Sequence, residues 1–422
     1  MFVSFFDIIY SMQSLDWSIF GNLLVTALGY GYFFFIILAP VFLGFAFFEA
    51  FVTYNRNKFI HEKAHSAILL ELIIPQEVAK SPLAMELFLT SLYQTSGETT
   101  WIDRWFKGKT RPWFSLELVS DGGEIKFYLW TWDFWKPVVV SYLYAQYPDI
   151  EVREVDDYSK NIDFDLRKID LFGVEFKLNK PDYYPIKSYN DYKLGDDPKE
   201  EYKIDPMTPF FEYLSTVKQG DRIWLQVIVR SHKKEIKKPG TWFDKVDWSH
   251  GANEEIKKIK QADVQAAGEI KITGVSLSRG QKDAIEAIEK NISKLAFDTL
   301  IRVIYLAPKE KFNPINIPGL IGSFRQYNTA NLNSFGVSSE HITVFDYPWQ
   351  DMFGKKAAHR KHHIFEAYQH RSAFHAPHKS HYFTMSSESI ATIFHFPGEA
   401  AKTPGLRRID AKKSEAPPNL PV

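Results

Sequence analysis

Seven histidines crowd the stretch Lys355–His381: His359, His362, His363, His370, His375, His378 and His381. His359 and His363 stand one helical turn apart, the spacing that lets two imidazoles meet one metal ion. No glutamate completes a His-Glu-x-x-His pattern, and no third ligand is fixed by spacing, so no metal site is assigned. The same stretch holds Lys355, Lys356, Arg360, Lys361, Arg371 and Lys379 against a single Glu366. This pattern reads as a basic helix face for a partner, with Lys355, Lys356, His359, Arg360, Lys361, His363 and Arg371 as its contacts.

A second concentration lies at residues 101–113, where Trp101, Arg104, Trp105, Phe106, Lys107, Lys109 and Arg111 are interleaved. Aromatic and basic side chains together suit a lipid headgroup layer, or stacking on nucleic-acid bases, or simple packing on their own domain. Within it, Gly108-Lys109-Thr110 imitates the end of a phosphate-binding loop. That loop needs a glycine where this chain has Asp103, and it needs a strand before it and a helix after it. Nucleotide binding is therefore not expected, and no other such loop occurs. The chain has no cysteine, which removes disulfides, thiolate metal sites and cysteine nucleophiles. No cofactor and no catalytic residue are assigned.

These residues must be positioned by larger elements. Residues 23–48 carry no charge and are rich in Phe, Leu, Ile and Val. About 20 such residues cross a bilayer as a helix. Pro40 is expected to kink it. Asp7 and Asp16 precede the run without any basic residue, whereas Arg56, Lys58 and Lys63 follow it. The positive-inside rule then puts the N-terminus outside the cytoplasmic membrane and the soluble body in the cytoplasm. Residues 1–22 are expected to form a short amphipathic segment, and 49–65 a basic juxtamembrane segment.

Residues 66–156 spell strand, helix, hairpin, helix, strand: Ile68–Ile74, a helix after Ser81-Pro82, alternating 114–118 and 125–129 around Asp121-Gly122-Gly123, a helix near 133–147, then Ile150–Val152. This is the ferredoxin-like, split βαβ order. Residues 157–204 read as an acidic linker with one strand, 169–178. A second α+β unit of the same kind is expected over 205–350, with a polar insertion at 232–275. A basic His-rich helix, a strand and a helix follow over 351–400, and a Pro/Lys-rich tail over 401–422. The fold class is α+β: one transmembrane helix and two ferredoxin-like units. Zero net charge, with 51 basic against 51 acidic residues, argues against attraction of the whole chain to nucleic acid.

Four separated motifs carry a resemblance. They are Trp105-Phe106-Lys107-Gly108-Lys109 leading into Pro112-Trp113-Phe114-Ser115-Leu116-Glu117; Asp205-Pro206-Met207-Thr208-Pro209; Arg302-Val303-Ile304-Tyr305-Leu306-Ala307; and Ser387-Glu388-Ser389-Ile390 through Pro397-Gly398. Together they resemble the membrane-anchored region that precedes the motor domain in type IV secretion or conjugation-like coupling ATPases, a region of unknown function that also occurs alone. Ser387-Glu388-Ser389-Ile390 departs from the Thr-Glu-Glu-Leu form expected there. The resemblance implies a membrane scaffold whose partners are the bilayer and a protein, a motor ATPase supplied in trans, with self-association compatible. The alternatives are a membrane-tethered nucleic-acid binder and a histidine-dependent metalloenzyme.

Overall fold

In the computed structural model, the described residues are 17–64, 66–75, 80–192, 205–234, 236–237, 245–266, 277–345, 347–398, 405–406 and 408–409. The chain divides into two units, Met1–Phe59 with Thr100–Lys109, and Ile60–Thr99 with Thr110–Val422. The expected segment 1–22 lies mostly outside the described residues, as do 410–422 of the tail.

Helix α1 runs from Trp17 to Ala64 and continues through Pro40. At about 1.5 Å per residue it is roughly 70 Å long, more than twice a bilayer's hydrocarbon thickness. Every residue from 21 to 51 except Ala39 is exposed. The expected juxtamembrane segment is therefore the helical continuation of the apolar run. One helix of the described residues is long and apolar enough to cross a membrane.

The second unit is built on one sheet. Its elements are β1 (Ala67–Pro75), α2 (Leu83–Ser91), β2 (Trp113–Asp121), β3 (Glu124–Trp132), α4 (Lys136–Gln146), β4 (Glu151–Val155), β5 (Ile169–Leu178), α5 (Thr208–Ser215) and β6 (Arg222–Ser231). A two-residue ladder, β7 (Ile236–Lys237) with β8 (Lys245–Val246), and α6 (Ala252–Ala266) lie in the expected insertion. There follow α7 (Arg279–Ser293), β9 (Ala296–Pro308), α8 (Asn316–Gly322), β10 (Phe335–Val337), α9 (Lys355–Gln369), β11 (Phe383–Ser386), α10 (Ser387–Ile393) and β12 (Arg408–Ile409). Helix α3 (Trp101–Trp105) belongs to the first unit.

The strands run β4-β1-β3-β2-β6-β9-β5-β10, with β11 extending β5's side of β9. Every pairing within this set is antiparallel, and β12 adds a short parallel pairing to β1. Two separate sheets were expected; one continuous sheet stands instead. The join is β2 against β6, paired over nine residues from Trp113↔Arg230 to Asp121↔Arg222. The "linker" strand 169–178 is interior to the sheet, between β9 and β10.

Alternation explains the layers. Leu70, Leu72, Phe114, Leu116, Leu118, Phe127 and Leu129 point to one face, as do Phe172, Val174, Leu225, Val227, Ile301 and Val303. They bury against α2, α4, α5, α8 and α10 through Phe88, Val139, Phe211, Leu320 and Ile390. Each fully buried Leu or Phe contributes roughly 1.5–3 kcal/mol, so this face supplies most of the cohesion. The opposite face is also covered. There α9 lays Ile364, Phe365, Ala367 and Tyr368 inward. Gly173 makes room for it, because a Cβ there would sit 2.8 Å from two atoms of Ile364.

Candidate membrane and partner interface

In the first unit, Thr100 caps α3 by accepting from the Asp103 amide at 3.1 Å, and its hydroxyl donates to the Asp103 carboxylate at 2.7 Å. Lys109 and Lys107 approach the same carboxylate at 3.1 and 3.5 Å. The Thr100 bond, then the Lys109 bond, pull Asp103 down to about 2. Asp103 thus ties together the ends of a small turn, and Lys109 points at a carboxylate. A helix precedes Gly108-Lys109-Thr110 and a strand follows it, the reverse of a phosphate-binding loop.

The turn's aromatic rings pack where the apolar run of α1 ends. Trp105 stacks on Phe48 with centroids 5.8 Å apart, and Phe106 meets Phe51 edge-on at 6.1 Å and Trp101 at 5.6 Å. Each such pair is worth about 0.5–1.5 kcal/mol beyond its burial. Gly108 permits the close approach. Its φ is +63°, and a Cβ would fall 2.4 Å from the Asn55 carbonyl carbon and the Arg56 nitrogen, both backbone atoms. The rings are only partly used by this packing, for Trp101 remains 66% exposed. Phe48 and Phe51 bracket the transition from uncharged helix to Arg56 and Lys58. The rings pack within their own unit.

Arg111 leaves the expected contact set. It is fully buried in the second unit, donates to the Ser231 carbonyl at 2.8 Å, and lies 3.6 Å from Asp298 and 3.7 Å from Glu98. A guanidinium between two carboxylates is a structural cation, unavailable to lipid or nucleic acid.

The basic helix divides in the same way. Lys355, Lys356 and His359 are exposed on the first turns of α9. Arg360 instead donates to the Ile342 carbonyl at 2.8 Å and lies over the Phe345 ring at 4.4 Å. Lys361 pairs with Asp170. His363 packs on His378 at 5.0 Å, and His378 on His370 at 5.6 Å. Burial first, then the neighbouring His363 and His370, push His378 down to about 4. Among the described residues no group of three His, Cys, Asp or Glu has a geometry that could hold a metal ion.

Arg371 likewise leaves the expected contact set. Its side chain is fully buried and forks onto Glu117 at 2.9 and 3.1 Å; it also bonds Asp157, at 3.0 Å in one of two contacts. Burial alone would raise the Asp157 carboxyl, but the Arg371 guanidinium outweighs it and leaves the value lowered.

Glu117 belongs to a cross-strand row that the sequence does not reveal. Arg153, Glu71, Tyr128, Glu117, Gln226, Arg302 and Glu175 are direct cross-strand neighbours, one from each of seven strands. Arg302 donates to Glu175 at 2.8 and 2.6 Å and to Gln226 at 3.0 Å. Glu117 accepts from Ser115 at 2.7 Å, Tyr158 at 2.7 Å and Gln226 at 3.0 Å. The available signal was Arg302 inside the apolar run 300–306: a charge in a buried strand must find a partner in register.

One apolar helix joined to an α+β body with an antiparallel sheet defines a helix-tethered α+β protein. A family model described as Domain of unknown function (DUF8128) matches residues 55–408, and the chain belongs to that family. No curated protein matches it.

Proposed function

We propose that this chain is a non-enzymatic, single-pass scaffold of the cytoplasmic membrane, with its N-terminus outside and its body in the cytoplasm. The observation that carries the reading is α1 itself, apolar and exposed on every side across residues 21–51. A helix apolar all round is stable only in an apolar medium, and the described residues leave this stretch exposed. Arg56 and Lys58 at its end support the orientation. The α3 turn, locked to Phe48 and Phe51, is the headgroup-level foot of that anchor.

The strand orders β4-β1-β3-β2 and β10-β5-β9-β6 support reading the body as two split βαβ units fused edge to edge. Its densest ionic cluster is buried and mutually paired, which favours a structural over a catalytic use. The assignment to a type IV secretion or DNA-transfer-like machine, working with an ATPase in trans, rests on the four-motif resemblance. The nucleic-acid alternative loses Arg111 and Arg371 to buried carboxylates.

Two measurements test this. Protease added outside intact spheroplasts should spare residues 66–422; their digestion overturns the orientation. Affinity capture of the tagged chain from detergent-solubilised membranes should enrich an ATPase. Salt-dependent DNA binding by the purified chain, with no ATPase enriched, would replace the scaffold reading by the nucleic-acid one.

A further inference from the structure

Among the described residues outside α1, the segment just before α9 carries the most exposed cluster of large apolar side chains. Phe353 is 82% exposed, Met352 75% and Trp349 69%, with Tyr347 beside them. Exposure on this scale in one seven-residue stretch marks a contact surface. The stretch is held in shape. Tyr347 and Trp349 stack at 4.6 Å with their planes 14° apart. Asp351 accepts from the backbone amides of Lys356 and Ala357 at 3.2 and 2.7 Å, fixing the turn to the start of α9.

The charge around this tip selects its occupant. Lys355 and Lys356 stand exposed directly behind Phe353. Asp351, the acid within the turn, is directed at the helix amides. An aromatic and thioether tip backed by two lysines is complementary to an anionic bilayer surface: the rings and Met352 enter the interface, and the ammonium groups meet the headgroups. A partner with an acidic rim would meet the lysines too. What favours lipid is the tether. β1 begins three residues after α1 ends, so a bilayer crossed by α1 lies at high effective concentration next to the body.

We propose that the Tyr347–Phe353 tip, with Lys355 and Lys356, is a second membrane contact, inserting into the interface of an anionic bilayer. The proposal rests on the reading of α1 as a membrane span, and the test separates the two. The chain has no cysteine, so single cysteines can be introduced without background. Full-length chains carrying Phe353→Cys, Met352→Cys, Glu310→Cys or Phe35→Cys are spin-labelled and placed in nanodiscs of phosphatidylcholine, with or without phosphatidylglycerol. Collision with oxygen is then compared with collision with a water-soluble nickel complex.

The labels at positions 352 and 353 should be oxygen-accessible and nickel-shielded in the anionic discs, by a several-fold ratio over the label at 310, in the turn after β9. Raised salt should weaken the effect. Lys355→Gln with Lys356→Gln should lower the docking equilibrium about thirtyfold, from about 1 kcal/mol per lysine at 1.4 kcal/mol per decade. If the labels at 352 and 353 are nickel-accessible in both lipids while that at 35 is in lipid, the tip proposal falls and the span stands. If the label at 35 is also water-exposed, the span reading falls. Shielding of 352 and 353 from both reagents, whatever the lipid, would mean a protein surface covers the tip, and overturns the lipid assignment.

Discussion

Replacing Arg371 by Leu tests whether the buried row holds the body together. Arg371 makes two bonds to Glu117, contacts Asp157 twice, and donates to the Gln369 carbonyl at 2.8 Å. Its loss strands the Glu117 carboxylate, which is fully buried. Breaking such a pair from one side costs about 3–5 kcal/mol. Ser115, Tyr158 and Gln226 still donate to Glu117, which places the expected loss near the lower end, about 3 kcal/mol. The assay is urea unfolding of the detergent-solubilised chain, followed by tryptophan fluorescence. Trp224 is a suitable reporter, since it lies 5.0 Å from the Tyr158 ring and 5.1 Å from that of Tyr368. The midpoint should fall without a change in slope. The decisive result is a sign reversal. Glu117→Gln should destabilise the parent chain by removing the ion pair, yet stabilise Arg371→Leu by removing a stranded charge. If Glu117→Gln acts with the same sign in both backgrounds, the two residues do not form the pair inferred here.

Gly108→Ala should detach the α3 turn from α1, since its Cβ meets backbone on both counts of position and φ; amide exchange across residues 100–109 should quicken, and unchanged protection would refute the packing. His378, whose value is lowered to about 4, is neutral in the folded body at pH 6 but protonates readily once unfolded. Its contribution is therefore fully present above about pH 6.5 and is lost as the pH falls toward 4; thermal unfolding should steepen its pH dependence in that window, less so in His378→Gln. With Asp103 facing Lys109, the purified chain should neither bind nor hydrolyse ATP, and turnover that disappears in Lys109→Ala would overturn that reading.

Local patterns carried much of this architecture. The continuous apolar run 68–74, the Asp121-Gly122-Gly123 turn and the alternation at 114–118 and 125–129 each became the expected strand or hairpin, because period and turn chemistry act over a few residues. The merging of the sheet did not follow from them. Strand pairing of β2 with β6 joins residues over a hundred positions apart, beyond the reach of any local pattern. Ser115 and Glu117, the polar members of the 114–118 alternation, are buried because α9 and the Tyr158 turn cover that face from far along the chain. The same gap explains Arg111 and Arg371. A lone arginine in a basic stretch has the composition of a surface contact, and only tertiary register brings Glu98, Asp298, Glu117 and Asp157 against it. Trp101, Trp105 and Phe106 stand out as a group by composition; in the structure Trp105 and Phe106 meet Phe48 and Phe51 of α1, and Trp101 meets Phe106.

The pairing of β12 with β1 has a consequence for biosynthesis. Ile74 and Pro75 find Arg408 and Ile409 alongside them, and Ile125 is bridged by Leu406. At about 5–20 residues per second, the ribosome takes on the order of 17–70 s to travel from the first of these segments to the last. Through that interval one corner of the sheet stands open, and α1 has long since left the exit tunnel. Among the described strands this pairing is the last to be made, so that corner of the sheet closes late in synthesis. A chain stalled before residue 406 would leave Ile74, Pro75 and Ile125 without these partners.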